Sequence, residues 1–183
     1  NVPFDVVNDG EVTALAGAMA LNDTAVLGVA AGSSEAAGYV TRAGNITAWL
    51  NEAALPNTPP PLLLDVQKTW PTGRFDAFFS ANTLHIMPWA AVESLFAGLA
   101  GVMAGDAKLA IYGPFNYGGQ FTSDSNASFD RRLKEMAPHQ GVRDFEKVDA
   151  LAQSAGLSLL EDRAMPSNNR CLVWQVARGI APR

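Results

Sequence analysis

The chain has 183 residues, of which 48% are apolar and 17% are charged, and its formal net charge is −5. This composition excludes intrinsic disorder, and the length predicts a single domain over residues 1–183. The negative net charge argues against a nucleic-acid partner, because binding of phosphates requires a basic face. No apolar run reaches the ~18 residues that a membrane span needs. No signal peptide is recognisable, so we expect a cytoplasmic protein without a membrane partner.

Cysteine and histidine are scarce in this chain. The only cysteine, Cys171, lies in the apolar pattern CLVWQV, so we expect a buried, unreactive thiol and no internal disulfide. The two histidines, His85 and His139, do not provide the ligand spacing of a metal site. We therefore predict that the protein has no metal centre.

Short apolar runs alternate with segments of helical spacing along the chain. In chain order we predict a helix over 11–21, a strand over 25–30, helices over 33–42 and 45–55, strands over 62–66 and 75–82, and a helix over 88–104. After a turn at Gly105–Asp106, we predict a strand over 107–112, helices over 126–136 and 144–155, and strands over 157–163 and 171–176.

This order of elements predicts the architecture. Strands that alternate with helices are joined by crossovers and form a parallel sheet. The last two strands are separated only by the turn MPSNNR, which is too short for a crossover, so we expect them to pair antiparallel. The expected fold is α/β: an open, mostly parallel, Rossmann-like sheet with helices on both faces and an antiparallel C-terminal hairpin.

Ligands of open α/β sheets bind at the carboxyl ends of the strands. The first such segment is the loop with Gly32, Ser33 and Ser34, which fits either a cofactor loop or an ordinary strand–turn–helix joint. Asp65 and Val66 are the last two residues of the next predicted strand. The carboxylate of Asp65 either accepts a hydrogen bond from a ligand or caps the following turn.

Asn82 and His85 end the strand predicted over 75–82. The pKa of an imidazole lies near working pH, so His85 fits a general base or a hydrogen-bond partner of a substrate. The alternative is a structural histidine packed under Trp89. Of the four tryptophans, Trp89 is the best placed to line a pocket.

The loop GPFNYGGQFTSDS follows the strand predicted over 107–112 and is long and irregular, as binding loops often are. Tyr112, Asn116 and Tyr117 carry phenol and amide groups that can orient a polar substrate. The glycines at 118–119 would allow this loop to act as a lid. The alternative is a surface loop built from turn residues.

Arg143 precedes the helix predicted over 144–155. Its guanidinium has the fork geometry that binds a substrate carboxylate through two hydrogen bonds. The alternative is a structural role, in which Arg143 forms an ion pair with Asp144 and the pair caps the helix.

Long segments of the chain resemble one protein family, that of methyltransferase-like protein 26, which was formerly a domain of unknown function. The resemblance begins near residue 25 and covers most of the remaining chain. The segments that carry it are AWLNEAALPN (48–57), LLLDV (62–66), SANTLHIMPW (80–89), LFAGLAGVM (95–103), IYGPFNYGGQFTSDSNASFDRRL (111–133), GVRDFEKVDALAQSAGL (141–157) and MPSNNRCLVW (165–174).

The resemblance implies a class I methyltransferase fold with S-adenosyl-L-methionine (SAM) at the carboxyl edge of the sheet. Taken together with the positions at strand ends, it divides the candidate residues into three groups. The cofactor-binding candidates are Gly32, Ser33, Ser34, Asp65, Val66 and Asn82. The catalytic candidates are His85 and Tyr112, and the substrate-binding candidates are Trp89, Asn116, Tyr117 and Arg143.

The sequence departs from this family in the cofactor half. Gly28 stands where an acidic residue is expected, and Ser34 replaces a glycine. Only three residues separate Thr41 from Asn45, where the family has a second strand that ends in acidic residues binding the ribose. We therefore expect the sheet to lack that strand.

Two functional hypotheses follow from the retained and the altered segments. The first is a SAM-dependent methyltransferase acting on an unidentified small molecule. Assembly into a homo-oligomer is compatible with this hypothesis. The second is a methyltransferase-derived protein that has lost SAM and serves as a SAM-independent enzyme, a ligand-binding protein or a partner subunit.

Overall fold

The computed structural model describes residues 26–29 and 64–177. The strands are β1 (Val26–Val29), β2 (Phe75–Ala81), β3 (Met103–Gly113), β4 (Phe115–Asn116), β5 (Arg143–Asp144), β6 (Leu157–Met165) and β7 (Asn169–Val176). The helices are α1 (Trp89–Val102), α2 (Asp124–Met136) and α3 (Phe145–Ser154), and a single 3₁₀ turn spans Pro166–Asn168. No helix among these residues is long and apolar enough to cross a membrane.

Five strands form one mixed sheet in the order β1-β2-β3-β7-β6, and β4 and β5 form a separate two-stranded ladder. β1, β2 and β3 run parallel, whereas β7 is antiparallel to both β3 and β6. The mixed α/β fold and its antiparallel C-terminal hairpin confirm the prediction. β7 inserts between β3 and β6, which places β6 at one end of the sheet formed by the described strands.

Two predicted boundaries are wrong. The turn expected at Gly105–Asp106 lies inside β3, because the pairing with β2 moves from Phe75–Met103 to Ala77–Lys108 and the intervening residues bulge from the ladder. Residues 64–66 of the strand predicted over 62–66 are not extended. They enter a turn, which is closed by a 3.0 Å hydrogen bond from the Lys68 amide to the Asp65 carbonyl.

Helices α1 and α3 pack together on one face of the sheet, where the main apolar core lies. Trp174 of β7 is fully buried in this core, and its indole Nε1 donates to Asp149 Oδ1 at 2.8 Å. This pairing satisfies the one polar atom of a large buried aromatic side chain. The indole of Trp70 lies against α1 at Gly98, where a Cβ atom would come within 1.9 Å of the ring.

β2 is buried on both of its faces, because four consecutive residues, 77–80, are all inaccessible to solvent. Such a strand requires a covering layer on each side. The helices predicted over 11–21, 33–42 and 45–55 lie outside the described residues. The predicted absence of a second strand, at 42–44, lies outside them as well.

Candidate functional site

The carboxyl ends of β2 and β3 meet at one polar edge of the sheet. Asn82 directly follows β2 and has a φ angle of 53°, in the left-handed region that asparagine tolerates better than most residues. The backbone amide of Asn82 donates to the backbone carbonyl of Tyr112 at 2.9 Å, which ties the two strand ends together. Two candidates that are 30 residues apart in the sequence are therefore neighbours in the structure.

His85 lies in the turn that follows β2 and is 7% exposed. Its imidazole packs edge-on against Phe129 of α2, with the ring centroids 5.2 Å apart. A Cβ atom on Gly113 would lie 3.9 Å from His85 Nδ1 and 3.8 Å from Asn82 Oδ1. The polar groups of Asn82 and His85 therefore both lie near Gly113.

The protonation of His85 differs from the sequence expectation. Burial, and to a lesser extent the positive charge of Arg143, lower the pKa of His85 from 6.5 to about 4. The imidazole is therefore neutral at pH 7 and is a weaker base than an exposed histidine. The expectation that its pKa lies near working pH is wrong, because burial disfavours the charged ring.

Tyr112 is joined at this edge by residues that the sequence interpretation had assigned only to a turn. Its phenol oxygen accepts a hydrogen bond from Asn169 Nδ2 at 3.0 Å. The turn before Asn169 contains Ser167 and Asn168 with φ angles of 61° and 59°. Asn168 is tied to α2 by a 3.0 Å hydrogen bond from Asn126 Nδ2 to its carbonyl. Positive φ angles at consecutive non-glycine residues are costly and often occur at functional sites.

Asn116 and Tyr117 lie on the β4 side of the site and differ in how they are paired. The Oδ1 atom of Asn116 is buried and accepts no hydrogen bond from the residues that the structure describes. The phenol of Tyr117 donates to Asp162 Oδ2 at 2.7 Å, and its ring stacks on Phe145 with 5.2 Å between the centroids. Burial raises the pKa of Tyr117 above its ordinary value. Asn116 therefore retains an acceptor for a ligand, whereas Tyr117 is held by protein contacts.

The glycines at 118–119 form a closed turn. Their φ angles are 56° and 73°, as in the two-residue hairpin turns that suit paired strands. Tyr117 and Gln120 exchange two backbone hydrogen bonds of 3.1 and 2.9 Å across this turn. The Gly118 amide also donates to Glu146 Oε1 at 2.9 Å. The freedom of these glycines serves a fixed turn here, and these contacts give no support to the expected lid.

Arg143 contacts backbone carbonyls, and its guanidinium carbon lies 6.0 Å from the ring centroid of Trp89. The expected ion pair with Asp144 is not formed, because Asp144 pairs with Lys147 at 2.9 Å. Asp144 does occupy the N-cap position of α3, although its side chain makes no capping hydrogen bond. Trp89 thus packs beside Arg143, whereas the aromatic neighbour of His85 is Phe129.

Asp65 and Val66 lie in the turn that precedes β2. The carboxylate of Asp65 is exposed, accepts from the Gln67 amide at 3.1 Å and pairs with Lys68 at 2.9 Å, and these contacts lower its pKa. The Val66 carbonyl accepts from Trp70 Nε1 at 3.1 Å. Asp65 therefore makes the turn-capping contacts given as the alternative to a ligand role.

The remaining cofactor candidates cannot be placed in this geometry, because Gly32, Ser33 and Ser34 lie outside the described residues. Gly28 lies in β1 and pairs with Phe79 of β2. Within the described ranges, no group of three or more histidine, cysteine or acidic residues could hold a metal ion. Cys171 is a half-buried thiol, and burial raises its pKa.

Comparison with known proteins identifies a family and a fold. Residues 34–176 match a family described as a protein of unknown function, DUF938. Among solved structures, the chain is similar to the mitomycin 7-O-methyltransferase MmcR, with 18% identity, a TM-score of 0.63 and coverage of 74% of this chain and 39% of that chain. It is also similar to OxaC in complex with sinefungin and meleagrin, with 15% identity, a TM-score of 0.60 and coverage of 83% and 36%.

A third similar structure is CalO1, a methyltransferase in calicheamicin biosynthesis, in its form bound to S-adenosylhomocysteine (SAH). Identity is 16%, the TM-score is 0.53, and the match covers 63% of this chain and 34% of that chain. These likenesses show a shared fold. The chain spans between about a third and two fifths of the length of the three proteins.

Proposed function

The chain belongs to the DUF938 family of proteins of unknown function, and we propose that it is a SAM-dependent methyltransferase that acts on a small molecule. The proposal is supported by the fold, which is similar to that of the methyltransferases MmcR and CalO1, the latter bound to SAH, and to that of OxaC bound to sinefungin. The resemblance of the sequence to the methyltransferase-like protein 26 family, an assignment that the family comparison does not confirm, points to the same activity. The cytoplasmic location and a homo-oligomeric state stay predictions.

The observation that carries this proposal is the polar edge where Asn82 and His85 lie near Gly113 and the Asn82 backbone amide bonds to the Tyr112 carbonyl. Substrates and cofactors of open α/β sheets bind at this edge. The Asn82 Oδ1 and His85 Nδ1 atoms both lie within 4 Å of the Cβ position at Gly113, so two polar groups face the same point of this edge. Asn116 has a buried amide oxygen without a hydrogen-bond partner in the described part of the chain, and such an atom is costly unless another group satisfies it. The described residues are therefore compatible with a polar ligand at this edge.

When bound, SAM supplies an electrophilic methyl group on a sulfonium sulfur. Asn82, with the candidates at 32–34, would hold the cofactor. Methyl transfer depends mainly on bringing the acceptor into line with the methyl group, so orientation of the substrate is the principal task of the protein.

The geometry suggests how individual residues would orient the substrate. The neutral imidazole of His85 can accept a hydrogen bond from a hydroxyl or amine nucleophile of the substrate. The low pKa of His85 favours this role over full removal of the nucleophile's proton before methyl transfer. The Tyr112 phenol already accepts from Asn169, so its own proton is available to an acceptor on the substrate. Asn116 Oδ1 can accept from a second donor on the substrate.

The second hypothesis, loss of SAM, is supported by the departures of the sequence. Without the acidic residues that bind the ribose, each missing charge-assisted hydrogen bond should weaken binding by roughly 1.5–3 kcal/mol. That corresponds to about a tenfold or greater loss of affinity relative to a complete site.

Calorimetric titration with SAM and with SAH separates the two hypotheses. We expect both compounds to bind, with affinities in the micromolar range or weaker. Asn82→Gly is the matched variant, because glycine keeps the left-handed backbone while the amide side chain is removed. It should weaken SAM binding and leave the melting temperature near that of the wild type. If neither SAM nor SAH binds the wild type, the methyltransferase proposal fails and the repurposed-protein hypothesis replaces it.

A further inference from the structure

Two residues of one chain segment hold the turn that carries His85. Arg143 Nε donates to the carbonyl of Leu84 at 3.0 Å, and Arg143 Nη2 donates to the carbonyl of Met87. The Gly141 amide donates to the carbonyl of His85 itself at 2.9 Å. The carbonyls of three residues in the turn at 84–87 therefore accept hydrogen bonds from the segment 141–143.

The guanidinium of Arg143 serves this purpose without a carboxylate partner among the described residues. Its third carbonyl contact is to His139, at 3.0 Å. The side chain is half-buried, and burial lowers its pKa. Three directional contacts from one planar group require the fork geometry of arginine, which the ammonium group of lysine does not reproduce. A role in binding a substrate carboxylate would compete with these contacts.

We propose that Arg143 is a positioning residue, whose guanidinium fixes the turn at 84–87 and thereby the orientation of the His85 imidazole at the carboxyl edge of β2 and β3. The effect of Arg143 on methyl transfer rests on the proposed function. The geometric part is independent of any reaction. Arg143 lies 59 residues from Leu84 in the sequence, so the contact ties two distant segments of the chain together.

The positive charge of Arg143 has a second consequence for His85. Together with burial, which is the larger effect, this charge disfavours protonation of the imidazole. Besides Arg143, the charged side chains on the neighbouring helix α2 are Asp124, Asp130, Arg131, Arg132, Lys134 and Glu135. Of these, Asp130 acts on Arg143, because its negative charge partly offsets the lowering of the Arg143 pKa by burial. Asp130 is bound by Lys134 at 2.6 Å, and Arg132 lies over the Phe129 ring with its guanidinium carbon 6.0 Å from the centroid. Arg143 is therefore the charge through which the turn and the imidazole are linked.

The test compares Arg143→Gln and Arg143→Lys with the control Arg131→Gln, which removes an exposed charge on α2. Nuclear magnetic resonance titration of His85 and hydrogen exchange of the Gly141 amide are the first readouts, because neither requires a substrate. In Arg143→Gln we expect the pKa of His85 to rise from about 4 towards 6.5, without reaching it because burial remains, and the Gly141 amide to exchange faster. Arg143→Lys should keep the low pKa of His85 and still accelerate exchange, because charge is retained and the fork is lost. Arg131→Gln should change neither.

Methyl transfer provides the third readout, as a pH profile of kcat. Arg143→Gln should lower kcat and shift the acidic limb of the profile with the pKa of His85, and Arg143→Lys should lower kcat without that shift. The proposal is overturned if folded Arg143→Gln leaves the pKa of His85 and the exchange of Gly141 unchanged. If Arg143→Gln does not fold, unchanged Gly141 exchange in Arg143→Lys overturns it equally. A wild type that neither binds SAM nor transfers methyl groups would refute the proposed function, while the first two readouts would still decide the positioning role.

Discussion

Replacing His85 with glutamine should make the protein more resistant to mild acid. In the folded protein the pKa of His85 is lowered to about 4, whereas the ordinary value of 6.5 applies to the unfolded chain. As pH falls below 6.5, the unfolded chain binds the proton first. Stability is therefore lost between pH 6.5 and pH 4, and it is unaffected by this group above that range.

The size of this effect follows from the two pKa values. Because the unfolded chain binds the proton more tightly than the folded protein, this group lowers the free energy of unfolding by about 2 kcal/mol at pH 5 and about 3 kcal/mol at pH 4. For a domain of this size, 2 kcal/mol corresponds to a melting temperature lower by about 4–8 °C. Other groups also titrate in this range, so the meaningful quantity is the difference between wild type and variant.

Thermal and urea unfolding at pH 7 and pH 5 measure that difference. His85→Gln should lose about 2 kcal/mol less than the wild type between the two pH values. His139→Gln, which removes an exposed imidazole, is the control and should retain the loss seen in the wild type. Equal pH dependence in His85→Gln and wild type would refute the burial argument, since His85 would then titrate alike in both states.

Two further substitutions test packing around the site. Gly98→Ala should destabilise the protein by about 1–3 kcal/mol in urea unfolding, because the added Cβ would overlap the Trp70 indole at 1.9 Å. Gly101→Ala, in the same helix with nothing within 4 Å of its Cβ position, should instead stabilise by about 0.5–1 kcal/mol. Tyr117→Phe removes the 2.7 Å hydrogen bond to Asp162 and should cost about 1.5–3 kcal/mol by the same method; no loss would show that this contact is not formed in solution.

The periodicity of the sequence was sufficient to predict most of the described elements. β2 and β7 have apolar runs bounded by turn residues, and α1 begins immediately after Pro88, whose missing amide proton favours that position. The apolar run at 62–66 misled the strand prediction, because the Asp65–Lys68 turn overrides it at residues 64–66. The start of β3 depends on a bulge in its pairing with β2, and such long-range register is not visible in local sequence.

The candidate site was predictable only in part, because it also depends on contacts between residues that are distant in the sequence. Asn82 and Tyr112 were expected to meet because the carboxyl ends of adjacent parallel strands lie together. Asn169 contacts Tyr112 across 57 residues, and the pair is brought together by the insertion of β7 beside β3. The consecutive asparagines in MPSNNR were the available signal, since asparagine tolerates left-handed backbone. The burial that lowers the pKa of His85 depends on Phe129, which no sequence pattern linked to it.

Asn116 offers a direct test of whether this edge serves binding or only folding. Its buried Oδ1 atom accepts no hydrogen bond within residues 26–29 and 64–177, so the atom weakens the fold unless a ligand uses it. Asn116→Leu, which replaces the amide with an apolar group of similar size, should therefore raise the free energy of unfolding by about 1 kcal/mol and reduce ligand binding or turnover.

Asn126 is the matched control, because it is also buried but its Nδ2 donates to Thr122 Oγ1 and to the Asn168 carbonyl at 2.9 and 3.0 Å. Asn126→Leu should lower the free energy of unfolding by about 1–3 kcal/mol, since buried partners lose their hydrogen bonds. Urea unfolding of both variants, alongside SAM titration and a turnover assay, distinguishes the two roles. An Asn116→Leu variant that is less stable than the wild type and binds and turns over ligand normally would show that Asn116 supports the fold, and the substrate role proposed for it would be wrong.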